Sequence, residues 1–445
     1  MANTILEQIT PGTQLDKLDG RVGEIIKVNG FVDKVRDQKY VQFLNISDGT
    51  GSIQVVCEKN IDNAFINEKI SRIRPGSTIS LTGQLARKPS GDGIEIALTG
   101  ASELLIHSIA SALPVTEESG RAEKLDHRQV SLRFVRDHLA GRVQSSIIAA
   151  AHEFWAANDF TIMATPKILG AASESGSEVF ELDYFGRPAF LAQSPQFYKQ
   201  MAIAGGVRAF AEIGPVFRAE PSDTNRHLAE FTMIDMEVAW VTDHRALMTL
   251  EESFLRQVFR RVDDVLGAEI KRVFGTSLEL PPDQFPIISH EEGRRILASK
   301  GLIIGEKEDM RTEAEKVLGS HFLESGHPFY FIEKYPVDAR VFYHQRFDDQ
   351  PRITKSFDLI YNGVEITTGA IREHRPDILM QQAEEKVPGL TKEPGMKNYF
   401  ETFMYGCPPH GGFAIGLGRL VQQMLGASSI QDVIFLPRTM QRLEP

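Results

Sequence analysis

Cationic groups crowd into one short stretch of the chain. Val216-Phe217-Arg218-Ala219-Glu220 is followed by Arg226-His227-Leu228-Ala229-Glu230-Phe231. A strand ending in Arg, a polar loop and a second strand entered through Phe231 predict a hairpin. Its tip would gather Arg218, Arg226 and His227, a donor set suited to a polyphosphate. Phe231 would offer its ring to a base. A surface hairpin with solvated charges fits the same residues. A second cluster, Ser356-Phe357-Asp358-Leu359 and Gly363-Val364-Glu365-Ile366-Thr367-Thr368-Gly369, sets two carboxylates on strands joined through Asn362-Gly363. Asn-Gly is a strong hairpin signal. Two carboxylates beside a hydroxyl suit a hard cation such as Mg²⁺; an edge hairpin with solvated acids is the alternative.

Two further segments carry polar groups at useful spacings. In Gly411-Gly412-Phe413-Ala414-Ile415-Gly416-Leu417-Gly418-Arg419 the glycines let a strand approach a ligand closely, and Arg419 would open the following helix as another phosphate donor. In Gln193-Ser194-Pro195-Gln196-Phe197-Tyr198-Lys199, Pro195 can start a helix, and Gln196 and Lys199 share one face. An amide and an ammonium suit a small zwitterion; an ordinary amphipathic helix start explains them equally.

These segments need positioning elements. Residues 20–105 read as β-rich, with strands at 23–32, 40–46, 52–57, 78–85 and 93–98 and a helical stretch at 60–72. That order predicts a small OB-type barrel, a frequent binder of single-stranded nucleic acid, with a β-sandwich or adaptor barrel as alternatives. Residues 106–130 read as a polar linker, separating domains at 1–105 and 131–445. Apolar residues at helical spacing (Leu139, Val143, Ile147, Ala150, Phe154) predict a long helix over 136–158, then a strand ending before Pro166. Strands at 209–217, 232–241, 329–335, 356–361 and 364–368 alternate irregularly with helices. The expected fold is α+β, an antiparallel sheet flanked by helices. The chain contains neither a GxxxxGK[ST] loop nor a strand-linked GxGxxG unit, so ATP binding would not use the common phosphate loops.

Bulk properties set outer bounds. A chain of 445 residues with 42% hydrophobic and 24% charged residues fits a soluble multidomain protein. A net charge of −11 argues against nonspecific coating of nucleic acid while permitting a local basic face. The apolar runs are too short to span a bilayer, and the N-terminus has no basic-then-apolar secretory pattern. Cys57 and Cys407 lie far apart, in no metal-ligand spacing. A reducing cytoplasm is expected.

The four segments together closely resemble the class II aminoacyl-tRNA synthetases. Within them they resemble the archaeal-type aspartyl-tRNA synthetases of the aspartyl/asparaginyl/lysyl subgroup, over roughly residues 12–445. The long helix with Pro166 is similar to the first class motif, a dimer interface. FRAE with RHLAEF is similar to the second, and GFAIGLGRL to the third. The resemblance implies aspartate activation with ATP and transfer to tRNA(Asp), with tRNA(Asn) left open as a second acceptor. It assigns Arg218 to the α-phosphate and substrate carboxylate, Glu220 to adenine and Phe231 to stacking. Arg226, His227 and Arg419 would hold the outer phosphates, with Ala219, Leu228, Gly416, Leu417 and Gly418 completing the ATP site. Glu365 and Thr368, with Asp358, would hold Mg²⁺. Glu174, in a loop that closes over the amino acid, would pair with the ammonium group beside Gln196 and Asp235. Lys199 and Arg372 would clamp the side-chain carboxylate. In the barrel, Arg36, Phe43 and Gln54 would contact anticodon bases.

The chain departs from the family pattern at several points. Gly418 stands where an acidic residue is usual. Ser47 and Asp33 replace an Arg and a bulky Trp or His in the barrel, Gln38-Lys39-Tyr40 replaces a glycine-rich turn, Ala370 replaces a Gly, and Leu436 a Phe. A specialised aspartyl-adenylate-forming relative, or a non-catalytic RNA-binding relative, would share these features.

Overall fold

The computed structural model describes residues 5–170, 178–221 and 224–445. The chain divides into two compact units, residues 1–139 with Pro445, and residues 140–444.

In the first unit, strands β1 (Ile25–Asp37), β2 (Val41–Ser47), β3 (Ser52–Glu58), β4 (Thr78–Arg87) and β5 (Ile94–Leu98) close into a barrel in the order β1-β2-β3-β5-β4, because β1 also pairs with β4. Helix α1 (Ala64–Ser71) lies between β3 and β4. Alternation drives closure: β3 buries Ile53, Val55 and Cys57 and turns the residues between them outward. Each inward Val, Ile or Leu contributes about 1.5–3 kcal/mol by leaving water. The sequence pattern missed a sixth strand, β6 (Leu104–Ser108), which pairs with β4. Only Leu104 of β6 is buried, so it carries little apolar alternation. Within the stretch expected as linker, Arg121–Asp126 and Arg128–Ser131 are helical.

The second unit is built on an eight-stranded sheet. The long helix α2 (Val135–Ala157), most of which belongs to this unit, buries Leu139, Val143, Ile147, Ala150 and Phe154, the residues whose spacing predicted it. The sheet elements follow as β7 (Thr161–Ile162), β8 (Ala209–Phe217), β9 (Glu230–Ala239), β10 (Ile287–Ser289), β11 (Phe329–Glu333), β12 (Ser356–Tyr361), β13 (Val364–Arg372) and β14 (His410–Gly416). Their order is β10-β11-β12-β13-β14-β9-β8-β7. The six central strands are antiparallel as expected, while both edge pairs, β7–β8 and β10–β11, are parallel. Helices α3 (Gln196–Ala204), α4 (His244–Phe274) and α5 (Thr312–Glu324) are among those that pack on the sheet, and α6 (Leu417–Met424) continues from β14. The Asp243 side chain accepts the Arg245 N–H to start α4, and Gly275, at φ 75°, ends it in the left-handed conformation. Among the described residues no helix is long and apolar enough to cross a membrane.

Register decides which side chains meet. Directly paired residues of antiparallel strands share a face. Asp235 pairs with Ala414, Ala414 with Thr368, and Thr368 with Asp358. Two residues along the strands, Glu237 pairs with Gly412 and Gly412 with Ala370, and Arg372 follows Ala370 on the same face. The Gly412 position tolerates no side chain. A Cβ there would lie 2.1 Å from the Met236 carbonyl oxygen and 2.3 Å from Glu237 Oε2. Gly412→Ala should therefore cost about 1–3 kcal/mol or more, the range of overpacked cores. Urea unfolding checks it, and an unchanged midpoint would refute this view of the strand crossing.

Candidate active site

The hairpin β8–β9 pairs Phe217 with Glu230 and Val216 with Phe231, delivering Arg218 and Phe231 to one end of the sheet. A cavity of about 330 Å³ opens there. Arg218, Glu220, Arg226, His227, Leu228 and Phe231 line it from the hairpin. Glu365 and Thr368 line it from β13, and Gly416, Gly418 and Arg419 from the β14–α6 junction. The Arg218 guanidinium lies 5.3 Å from the Phe231 ring centre, stacked on the surface expected to take a base. Arg419 donates to the Glu365 carbonyl oxygen at 2.9 Å. Arg226 pairs with Glu315 at 2.8 Å, and Glu315 also accepts the Glu365 N–H at 3.1 Å. Glu315, on α5, was not anticipated; no local pattern connects a residue of that helix to the β13 turn. Burial pushes its carboxyl upward, with Glu365 adding and Arg226 opposing.

The carboxylate hairpin forms as the Asn-Gly turn predicted, with Asn362 at φ 49° and Gly363 at φ 75°. Glu365 and Thr368 are three residues apart, an odd spacing that puts side chains on opposite faces of a regular strand. A bulge corrects it: Leu359 pairs with Thr367 but Ile360 with Glu365, leaving Ile366 as the extra residue. Thr368 Oγ1 then donates to Glu365 Oε1 at 3.1 Å. Asp358 sits deeper. It is ion-paired with Arg340 and does not line the cavity, although its Oδ1 has no partner. At the cavity wall Glu365 and Thr368 offer oxygen donors alone, the donor type that a hard cation such as Mg²⁺ takes.

A second cavity, of about 250 Å³, shares Arg218, Glu220, Met233, Glu365, Thr368 and Ala414 with the first. Gln196, Lys199, Asp235 and Arg372 line its inner end. Helix α3 begins directly after Pro195, so Gln196 and Lys199 face the cavity together. Gln196 Nε2 is buried with no partner. Lys199 Nζ lies 3.1 Å from Asp235 Oδ1 and 3.2 Å from Glu237 Oε2. Arg372 donates to Glu237 through Nε at 2.9 Å and Nη2 at 3.3 Å. Glu237 is the main residue that sequence reasoning missed; its only signal was its place two residues beyond Asp235, on the same strand face. Burial works to raise its carboxyl, but Arg372 and Lys199 prevail and hold it below the usual range. Burial raises Asp235, against Lys199.

Two expected ATP-site residues, Ala219 and Leu417, do not line the cavities. Ala219 donates its N–H to the Glu178 carbonyl at 3.3 Å, and Leu417 is buried in the core. Glu174 lies outside the described residues. At Gly418 the space of a side chain is already filled: a Cβ would lie 3.0 Å from Ile430 Cδ1 and 3.2 Å from Ile434 Cδ1. In the barrel, Arg36 donates to Gln54 at 2.8 Å and lies 4.9 Å from the Phe43 ring centre, so those three residues do converge. Phe43 and Gln54 line a cavity of about 740 Å³ with Tyr40, Lys59, Lys88 and Glu95. The two departures Ser47 and Asp33 answer each other, Ser47 Oγ donating to Asp33 Oδ1 at 2.7 Å.

A cavity beside a β-hairpin that carries Arg218 and Arg226, an adjoining cavity lined by Lys199 and Arg372, and an OB-type barrel are the combination expected of a class II synthetase. The model of class II tRNA synthetases (D, K and N) matches residues 121–440, and that of OB-fold nucleic acid binding domains matches residues 26–104. The chain belongs to the class II tRNA synthetases of that group. It is 38% identical over 430 residues to the aspartate–tRNA(Asp) ligase of Pyrococcus abyssi, covering 95% of this chain and 97% of the relative. It is 36% identical over 433 residues to the aspartate–tRNA(Asp/Asn) ligase of Methanopyrus kandleri, covering 96% and 97%. Among solved structures, the asparaginyl-tRNA synthetase of Pyrococcus horikoshii with asparaginyl-adenylate superposes with a TM-score of 0.90 at 28% identity, covering 98% of this chain and 100% of that one.

Two histidines beside the site have lowered pKa values. Burial lowers His410 to about 4, and its partners fix its form: Nδ1 donates to the Pro408 carbonyl at 2.8 Å, while Nε2 accepts from Gln200 at 3.1 Å. Burial, then Arg419 and Arg226, lowers His227 to about 4. A histidine whose pKa falls on folding binds its proton in the unfolded chain first, so stability is lost as pH falls from 6.5 towards about 4. His410 alone accounts for on the order of 3 kcal/mol over that window. Urea unfolding across pH 7 to 4 should show a decline that His410→Gln reduces; parallel pH profiles would refute the assignment.

Proposed function

We propose that the chain is an aspartate–tRNA ligase, which activates L-aspartate with ATP and transfers it to the terminal adenosine of tRNA(Asp), with tRNA(Asn) as a second acceptor to be tested. The observation that carries this reading is the inner end of the amino-acid cavity, where Lys199 and Arg372 stand together. Both can donate charge-assisted hydrogen bonds to a side-chain carboxylate, on the order of 1.5–3 kcal/mol each, whereas a carboxamide turns its own N–H donors towards one of them. That argument favours aspartate over asparagine despite the close superposition on an asparaginyl enzyme. The aspartate–tRNA ligases among the relatives support it independently.

In this reading the aspartate α-carboxylate attacks the α-phosphorus of ATP, forming aspartyl-adenylate and releasing pyrophosphate. Arg218, shared by both cavities, neutralises charge on the α-phosphate, and Phe231 and Glu220 hold the adenine. Arg226, His227 and Arg419 orient the outer phosphates. Gln196, Asp235 and Glu174 take the ammonium group. Mg²⁺, held by Glu365 and Thr368 with Asp358 behind them, would add positive charge beside the phosphates. The terminal ribose hydroxyl of tRNA then attacks the adenylate carbonyl and expels AMP. Catalysis rests on positioning and preset charge, with no protein nucleophile. Arg36, Phe43 and Gln54 would hold anticodon bases, each aromatic stack contributing about 1–3 kcal/mol. Ile162 on the edge strand β7 and Met163 just after it are exposed before Pro166, a surface suited to a homodimer through the first class motif.

Aspartate-dependent exchange of labelled pyrophosphate into ATP should be measurable, with asparagine failing to replace aspartate. Lys199→Leu should abolish it, and unchanged kinetics would refute the clamp. Charging of purified tRNA(Asp) and tRNA(Asn) measures the acceptor set; exchange without charging of either would favour the adenylate-forming alternative.

A further inference from the structure

Glu237 is completely buried, yet it does not line the amino-acid cavity that Lys199, Asp235 and Arg372 line. Its carboxylate reaches both cations from behind. Oε1 accepts from Arg372 Nε at 2.9 Å, and Oε2 lies 3.3 Å from Arg372 Nη2 and 3.2 Å from Lys199 Nζ. Arg372 Nη2 is fixed further by the Gly412 carbonyl at 3.0 Å. The seat for the carboxylate exists because residue 412 has no side chain. One carboxylate thus binds two cations carried on different elements, α3 and β13.

Two consequences follow. Long cationic side chains lose rotamer freedom only where partners fix them, and a fixed guanidinium binds a carboxylate in a set geometry. The group is also balanced in charge: Lys199 pairs with both Asp235 and Glu237, and Arg372 with Glu237, so two cations face two carboxylates.

We propose that Glu237 is the positioning residue of the aspartate clamp: from behind, it aims Lys199 and Arg372 into the cavity so that both can donate to one side-chain carboxylate. The proposal rests on the reading of this cavity as an aspartate pocket, and it concerns selectivity of binding rather than chemistry on the phosphates, which lie at the other end.

Pyrophosphate exchange on the full chain, with aspartate and ATP varied separately, tests it in Glu237→Gln and Glu237→Asp. Glu237→Gln keeps the shape and removes the charge. The aspartate KM should rise about tenfold to a hundredfold, as for misaligned binding groups, while the ATP KM stays within about twofold. Glu237→Asp keeps the charge one methylene back and should recover part of the loss. An aspartate KM in Glu237→Gln within about twofold of the parent overturns the proposal. So does a joint rise of both KM values with a lowered melting temperature in both variants, which would make Glu237 a packing residue. If the parent itself shows no exchange with aspartate, the pocket reading fails, and this proposal with it.

Discussion

Four ionisable side chains, Lys199, Asp235, Glu237 and Arg372, meet in the interior of the second unit, each at most 3% exposed. Removing charges from water costs several kcal/mol each unless they are paired at close range. This group meets that condition internally, since Glu237 touches both cations and Lys199 touches both carboxylates. The surrounding fold is arranged to permit it. Asp235 and Glu237 alternate onto one face of β9, β13 supplies Arg372 on the same face, and α3 drops Lys199 onto it. Gly412 keeps the crossing strand open. Misregister of β9 by one residue would turn both carboxylates to the α4 side and leave two buried cations unpaired, so the electrostatics and the register enforce each other.

The phosphate end of the site follows a different logic. Its cations are only partly buried, and they are tethered individually rather than neutralised together. Arg226 is held by Glu315, Arg419 by a carbonyl oxygen, and Arg218 by the ring of Phe231. Such donors keep capacity for a polyanion. His227 is neutral among them because burial and three neighbouring arginines disfavour its proton. An arriving phosphate would reverse that balance, because it brings the negative charge these groups lack.

Much of this was legible beforehand. Alternation in the barrel strands, the helical spacing of Leu139 through Phe154 and the Asn362-Gly363 turn are local signals, and local sterics and burial made each element where expected. Gln196 and Lys199 face one cavity because their spacing on a helix leaves no alternative. The sixth barrel strand escaped notice because it buries a single residue, and the parallel edges of the large sheet because edge strands of two or three residues carry no periodic pattern.

The sequence by itself determined the kinds of chemistry available: which strands exist, which donors and acids they carry, and the family to which their motifs point. Only the tertiary structure decided how those groups are used. A bulge at Ile366 brought Glu365 and Thr368 to one face, Arg340 drew Asp358 away from the cavity lining, and Ile430 with Ile434 occupied the space beside Gly418. Glu237 became the partner of both clamp cations although Arg372 stands far from it in the chain. Pairing of buried charge depends on distances across strands and helices, and those distances come into being only when the sheet is assembled.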